Sequence, residues 1–205
     1  MIDPRDVTVI AATGLEARAV RRECPQLNVM ESGIALAKLD RSRLSDAVIS
    51  CGLAGGLSRE LPTGTVLIPR EVARVDGNRV ACDEAMQRAL VEAARRLGFD
   101  PVEEPMMTSA TIVHGEERAR FAERGFVGVD MESGLIDAPR IAVVRVILDT
   151  PDNELSAAWA RPAIALMNPL LWPQAAWLAR NAPRCARIAA VILNEVEGSL
   201  RDNRA

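Results

Sequence analysis

The chain contains no tyrosine, one histidine (His114) and only 3% aromatic residues. A histidine dyad and a zinc site made of several histidines are both excluded. Stacking on a planar ligand would need Phe121, Phe126 or a residue of a partner chain. The four cysteines, Cys24, Cys51, Cys82 and Cys185, are far apart and form no CxxC pair. That spacing offers neither a zinc ligand set nor a redox motif, and free thiols suit a reducing cytoplasm. A basic surplus is lacking too. Twenty-five lysines and arginines against 28 acids leave a net charge of −3, which argues against nucleic acid as a partner. No apolar run approaches the ~18–20 residues of a membrane span. The stretch Met1-Ile2-Asp3-Pro4-Arg5-Asp6 is too polar for a signal peptide, so a cytoplasmic location is expected.

What the chain does have is a globular balance: 49% hydrophobic and 26% charged residues over 205 positions. That length fits one domain, residues 1–205, able to bury roughly 70% of its unfolded surface. Short apolar runs read as buried strands: Val7 to Ala12, Leu27 to Met30, Ala47 to Cys51, Thr65 to Ile68, Phe126 to Val129 and Ile141 to Ile147. Asp76-Gly77-Asn78 joins a hairpin between Val72–Val75 and Arg79–Cys82. Helices are expected over Leu15–Glu23, Ile34–Leu44, Met131–Ile136 and Asp83–Leu97, the last with Asp83 as N-cap and Gly98 as its stop. From about 156 to 198 a helical tail follows, interrupted by Pro162, Pro169, Pro173 and Pro183.

Alternating strands and helices predict a three-layer αβα fold around a mixed, mainly parallel twisted sheet. Ligands bind beyond the carboxyl ends of such strands. Four places qualify: Thr13-Gly14, the glycine-rich turn Gly52 to Gly56, Asp130 to Glu132, and Asp149. Each has an ordinary reading as well. Glu16 suits the first turn of any helix, Glu132 a cap, and Asp149-Thr150-Pro151-Asp152 a turn. Arg18 is equally a solvated helix residue. Three glycines in five residues let backbone N–H groups approach a ligand, but they are not a dinucleotide motif.

Several motifs occur in an order with its own meaning. They are Val9 to Glu16, Glu31-Ser32-Gly33-Ile34, Cys51 to Leu57, Thr63 to Val66, Val129-Asp130-Met131-Glu132-Ser133 and Val144 to Asp149. Over residues 7–152 the chain resembles the nucleoside phosphorylase and methylthioadenosine/adenosylhomocysteine nucleosidase superfamily. The resemblance implies cleavage of a purine N-glycosidic bond. It makes Met131 and Glu132 the ribose-holding pair, with the carboxylate accepting from the 2′- and 3′-hydroxyls. It makes Asp149 the acid that protonates or hydrogen-bonds purine N7, and Glu16 the group that orients attacking water. Gly52, Ala54, Gly55, Ile112 and Val113 fall in substrate-binding segments. Leu148 stands where relatives often carry serine.

The chemistry suits these residue types. Bond cleavage builds positive charge on the sugar and negative charge on the base, so an anion by the sugar and an acid at the base both help. No metal or organic cofactor is required. Gly14 and Arg18 match a phosphate-gripping pair, yet Ser50 replaces the second arginine of the phosphorylases, and Glu16 would repel phosphate; water is favoured. The segment Pro173 to Arg180 is similar to a hopanoid-associated branch thought to release adenine from an adenosylated triterpenoid. The apolar tail (Trp159, Ile164, Leu166, Met167, Leu170, Leu171, Trp172, Trp177) reads as a helix packed on the sheet. The alternative is a groove or peripheral membrane patch for a lipid-like 5′-group. A homodimer is implied by the resemblance alone. Two rival readings are a non-catalytic binding module on the same fold and an interaction protein using the tryptophan-bearing tail.

Overall fold

A computed structural model describes residues 6–202; Met1 to Arg5 of the polar amino-terminal stretch, and residues 203–205, lie outside the described residues. The first strand, β1 (Val7–Ala11), is buried along its whole length, and Thr13 just beyond it caps helix α1 (Gly14–Glu23). Thr13 and Glu16 form a reciprocal capping box that closes the first turn. Strand β2 (Asn28–Glu31) follows, and then β3 (Ala47–Gly56). Strands β4 (Val66–Leu67), β5 (Glu71–Arg74) and β6 (Arg79–Ala81) lead to α2 (Glu84–Arg96), capped by Asp83 and stopped at Gly98, whose φ is +83°. Next come β7 (Met106–Thr108), α3 (Gly115–Glu123), β8 (Gly128–Asp130) and β9 (Arg140–Asp149). The tail holds α4 (Pro162–Leu166) and α5 (Trp172–Asp202).

The strands join in one mixed sheet, mostly parallel, with β3 at its centre. Strand β3 pairs in parallel with β1 and β9, and its last residues turn to pair antiparallel with β8. The fold is the expected three-layer α/β arrangement. Alternate side chains of β9 sort into two cores. Ala142, Val144, Val146 and Leu148 pack toward a layer that includes Val20 of α1, Leu90 of α2 and Cys185, Ala189 and Ile192 of α5. Ile141, Val143 and Ile147 point the other way. Arg145 shares their parity, so a guanidinium is driven into the interior.

Several local expectations are corrected. The segment Ile34–Leu44 contains only two 3-10 turns, because Gly33, Ala35 and Leu36 adopt φ of +70°, +52° and +60°. The glycine-rich turn is strand: β3 runs through Gly56, and its glycines serve close approach by other side chains. Met131–Ile136 is reduced to a 3-10 turn, Ser133–Leu135, since Asp130 accepts from Ser133 N and Gly134 packs tightly on Arg74 and Thr108. Pro183 lies within α5 without ending it. Strand β7 and helix α3 carry too few apolar residues for periodicity to show them.

Candidate active site

The carboxyl ends of β1, β3, β8 and β9 open onto a cleft of about 530 Å³. Glu16, Met131, Glu132 and Asp149 line it together with Ala54, Gly55, Ile112 and Val113. Leu155, Trp159 and Pro162 from the tail, with Leu178, Ala179 and Ala182 of α5, supply an apolar wall.

Glu16 serves two purposes. Its Oε2 accepts from Thr13 N at 2.8 Å and Thr13 Oγ1 at 2.7 Å, which is the ordinary capping role. Its Oε1 accepts from Leu53 N on β3 at 2.8 Å, a tertiary contact that a cap does not need. Gly52 makes this reach feasible. A β-carbon there would stand 2.2 Å from Glu16 Oε1 and 2.5 Å from Arg145 Nη1.

Glu132 is 4% exposed; its Oε1 accepts from Ala35 N at 3.1 Å, and its Oε2 lies 3.6 Å from Arg145 Nη2. Burial pushes its pKa up to about 7; Arg145 opposes that rise and Asp130 adds to it. The left-handed turn at Ala35, sterically costly for a residue with a β-carbon, is what aims this N–H at Glu132.

Beneath them lies Arg145, 1% exposed. Its Nη2 donates to Ser50 Oγ at 2.7 Å and Ser133 Oγ at 3.1 Å, and pairs with Asp130 Oδ2 at 2.8 Å. Its Nε and Nη1 have no protein partner among the described residues. The Arg145 guanidinium thus reaches across from β9 to Ser50.

Asp149 owes its place to a β-bulge. The register between β3 and β9 slips after Ala54, which puts Asp149 opposite Gly55. There it meets Arg118 of α3, 2% exposed, whose Nη2 donates to Asp149 Oδ2 at 2.5 Å. Asp149 is thus one half of a buried ion pair.

Other predicted residues lie elsewhere. Arg18 is exposed on α1, and Gly14 sits against the Glu31 carboxylate, 3.3 Å from where its β-carbon would be. Phe121 and Phe126, weighed for base stacking, are core residues packed with Met107 and Val129. His114 caps α3 through its backbone position, and among the described residues its Nε2 is buried without a partner. Arg118 and Arg145 were missed by sequence reasoning. Arg145 carried a signal, being a lone charge inside a fully apolar strand; Arg118, in the charged run Glu116-Glu117-Arg118, carried none.

The phosphorylase superfamily model matches residues 7–136, more than half of the chain. The chain belongs to the phosphorylase superfamily. Among solved structures, it is similar to a mutant Helicobacter pylori 5′-methylthioadenosine/S-adenosylhomocysteine nucleosidase with 5′-methylthioadenosine in the active site. The TM-score is 0.71 at 12% identity, covering 97% of this chain and 100% of that one. The Neisseria meningitidis nucleosidase of the same name, in complex with methylthio-immucillin-A, gives 0.71 at 20% identity, covering 94% and 98%. A mutant Helicobacter pylori futalosine hydrolase gives 0.69 at 15% identity, covering 94% and 98%. At such identities the likeness is one of fold. A search of curated protein sequences returned no match.

Proposed function

We propose that this superfamily member is an N-glycosidase that cleaves a purine nucleoside or nucleoside-like substrate, using water rather than phosphate. One observation carries the reading: Glu16, Glu132 and Asp149, from three distant parts of the chain, line a single cleft. Glu132 accepts from the ribose hydroxyls, with Met131 beside it, and its negative charge favours the cationic sugar of the transition state. Asp149 faces the base. Glu16, held on Leu53 N, takes a proton from water attacking the anomeric carbon.

Electrostatics favour water. Four carboxylates (Glu16, Asp130, Glu132, Asp149) face two buried guanidiniums (Arg118, Arg145), both already paired with acids. Gly14 lies by Glu31 and Arg18 is exposed, so the phosphate-gripping pair is unsupported. Adenine is the base the resemblance implies. The apolar wall of Leu155, Trp159 and Leu178 suits a greasy 5′-group, an adenosylated hopanoid included. We further infer a cytoplasmic homodimer working without metal or organic cofactor, with peripheral membrane contact as the alternative use of the exposed tail.

The test is release of free adenine from adenosine, methylthioadenosine and adenosylhopane, with and without phosphate. Release without phosphate is expected. Strict phosphate dependence would convert the reading to phosphorolysis. Binding without any turnover would make the protein a nucleoside-binding module.

A further inference from the structure

Arg118 is held through both of its terminal nitrogens. Its Nη1 donates to the Gly56 carbonyl at 2.6 Å, and its Nη2 to the Val113 carbonyl at 3.2 Å as well as to Asp149. Its Nε lies 3.4 Å from Glu154 Oε1, which also accepts from Gly115 N at 2.9 Å. These partners come from the end of β3, the stretch before α3, the end of β9 and the loop beyond it. Burying a guanidinium and a carboxylate together costs several kcal/mol of hydration, and an apolar pair often serves stability as well. The pair therefore needs a role besides holding the fold.

Its location supplies one. Asp149 and Arg118 both line the cleft, and Asp149 Oδ2 is taken by Arg118. The other oxygen, Oδ1, lies by Gly55, 3.1 Å from where a β-carbon would be. The neighbouring residue can give no help. Leu148, where relatives often have a hydroxyl, is 6% exposed and packs in the core beneath α5.

We propose that Arg118 is the positioning residue for the base-side carboxylate, doing from α3 what the residue before the acid cannot do here. It pins Oδ2 to a rigid frame of backbone carbonyls, so that Oδ1 alone meets the leaving base; Oδ1 takes up a proton before cleavage and passes it to the base nitrogen as the glycosidic bond breaks. Its charge also offsets a carboxylate in a cleft already holding Glu16, Asp130 and Glu132. The proposal rests on the N-glycosidase reading.

The experiment is a kinetic comparison of two substrates. One is a purine nucleoside that the wild type cleaves; the other is 4-nitrophenyl β-D-riboside, whose leaving group departs without assistance. Arg118→Met should lower kcat/KM on the purine by about 10²–10³, the scale of lost acid–base assistance. On the riboside it should change kcat/KM by less than about 3-fold, the loss being confined to the base. Arg118→Lys keeps the charge without the fork and should recover part of the purine rate. A lone buried Asp149 can compromise folding, so a cycle with Asp149→Asn runs in parallel. In that background Arg118→Met should cost less than about 3-fold further on the purine. Equal losses on both substrates, or multiplicative losses in the cycle, would show Arg118 to be merely structural. A wild type inert toward every nucleoside and toward the riboside would bring down the N-glycosidase reading itself, and the role of Arg118 with it.

Discussion

Glu132 shows how one residue can report on the whole site. Buried among Arg145, Asp130 and the Ala35 amide, it keeps its proton up to about pH 7. On the proposed reading Glu132 must be a carboxylate to accept from both ribose hydroxyls. The expected kcat/KM therefore rises with pH through about 7 and levels off above it. Glu132→Gln should abolish that limb and lower the plateau by 10²-fold or so. The same protonation has a stability sign. The folded-state pKa lies above the ordinary 4.5, so the native state binds the proton more tightly. That contribution is complete below about 4.5 and is lost as pH rises through about 7. Urea midpoints of the wild type should fall over that window more than those of Glu132→Gln. A flat pH profile in the wild type would remove Glu132 from the sugar site.

At the scale of the element, β3 is the informative strand. Its glycines look like a turn because glycine is common in turns. In the fold they are left bare so that Glu16 and Arg145 can lie across Gly52, and Asp149 against Gly55. Gly52→Ala should therefore drive a methyl into the contact region of two buried charged groups. The expected cost is about 1–3 kcal/mol in denaturant unfolding, as for overpacking, with a fall in kcat/KM of at least about 10². A fully active Gly52→Ala would mean that Glu16 and Arg145 are not held as described. The bulge after Ala54 in the partner register is equally decisive, since it settles which residue of β9 meets Gly55.

For the molecule as a whole, the tail divides into two parts. Cys185, Ala189 and Ile192 of α5 pack on the sheet, as a C-terminal helix should. Ile164, Leu166, Met167, Leu170 and Trp172 remain exposed, Met167 and Leu170 by 83% and 86%. Among the described residues no helix is long and apolar enough to cross a membrane. Under the proposed homodimer this exposed apolar segment is the contact face. On the homodimer reading, sedimentation should show a dimer for the wild type and a monomer for Met167→Asp with Leu170→Asp. A wild type that sediments as a monomer, and floats with vesicles instead, would reassign the face to lipid.

The sequence by itself determined the layered α/β fold, the strand ends that carry Glu16, Glu132 and Asp149, and the family. Hydrophobic periodicity and short motifs are local signals, and strand ends are where such folds keep their ligands. Only the tertiary structure decided that the glycine run is strand, that Ala35 turns its amide to Glu132, and that Arg118 and Arg145 lie beneath the acids. Those facts depend on register and on burial of charge. Both are settled when distant segments pack, and neither leaves a periodicity for one segment to display.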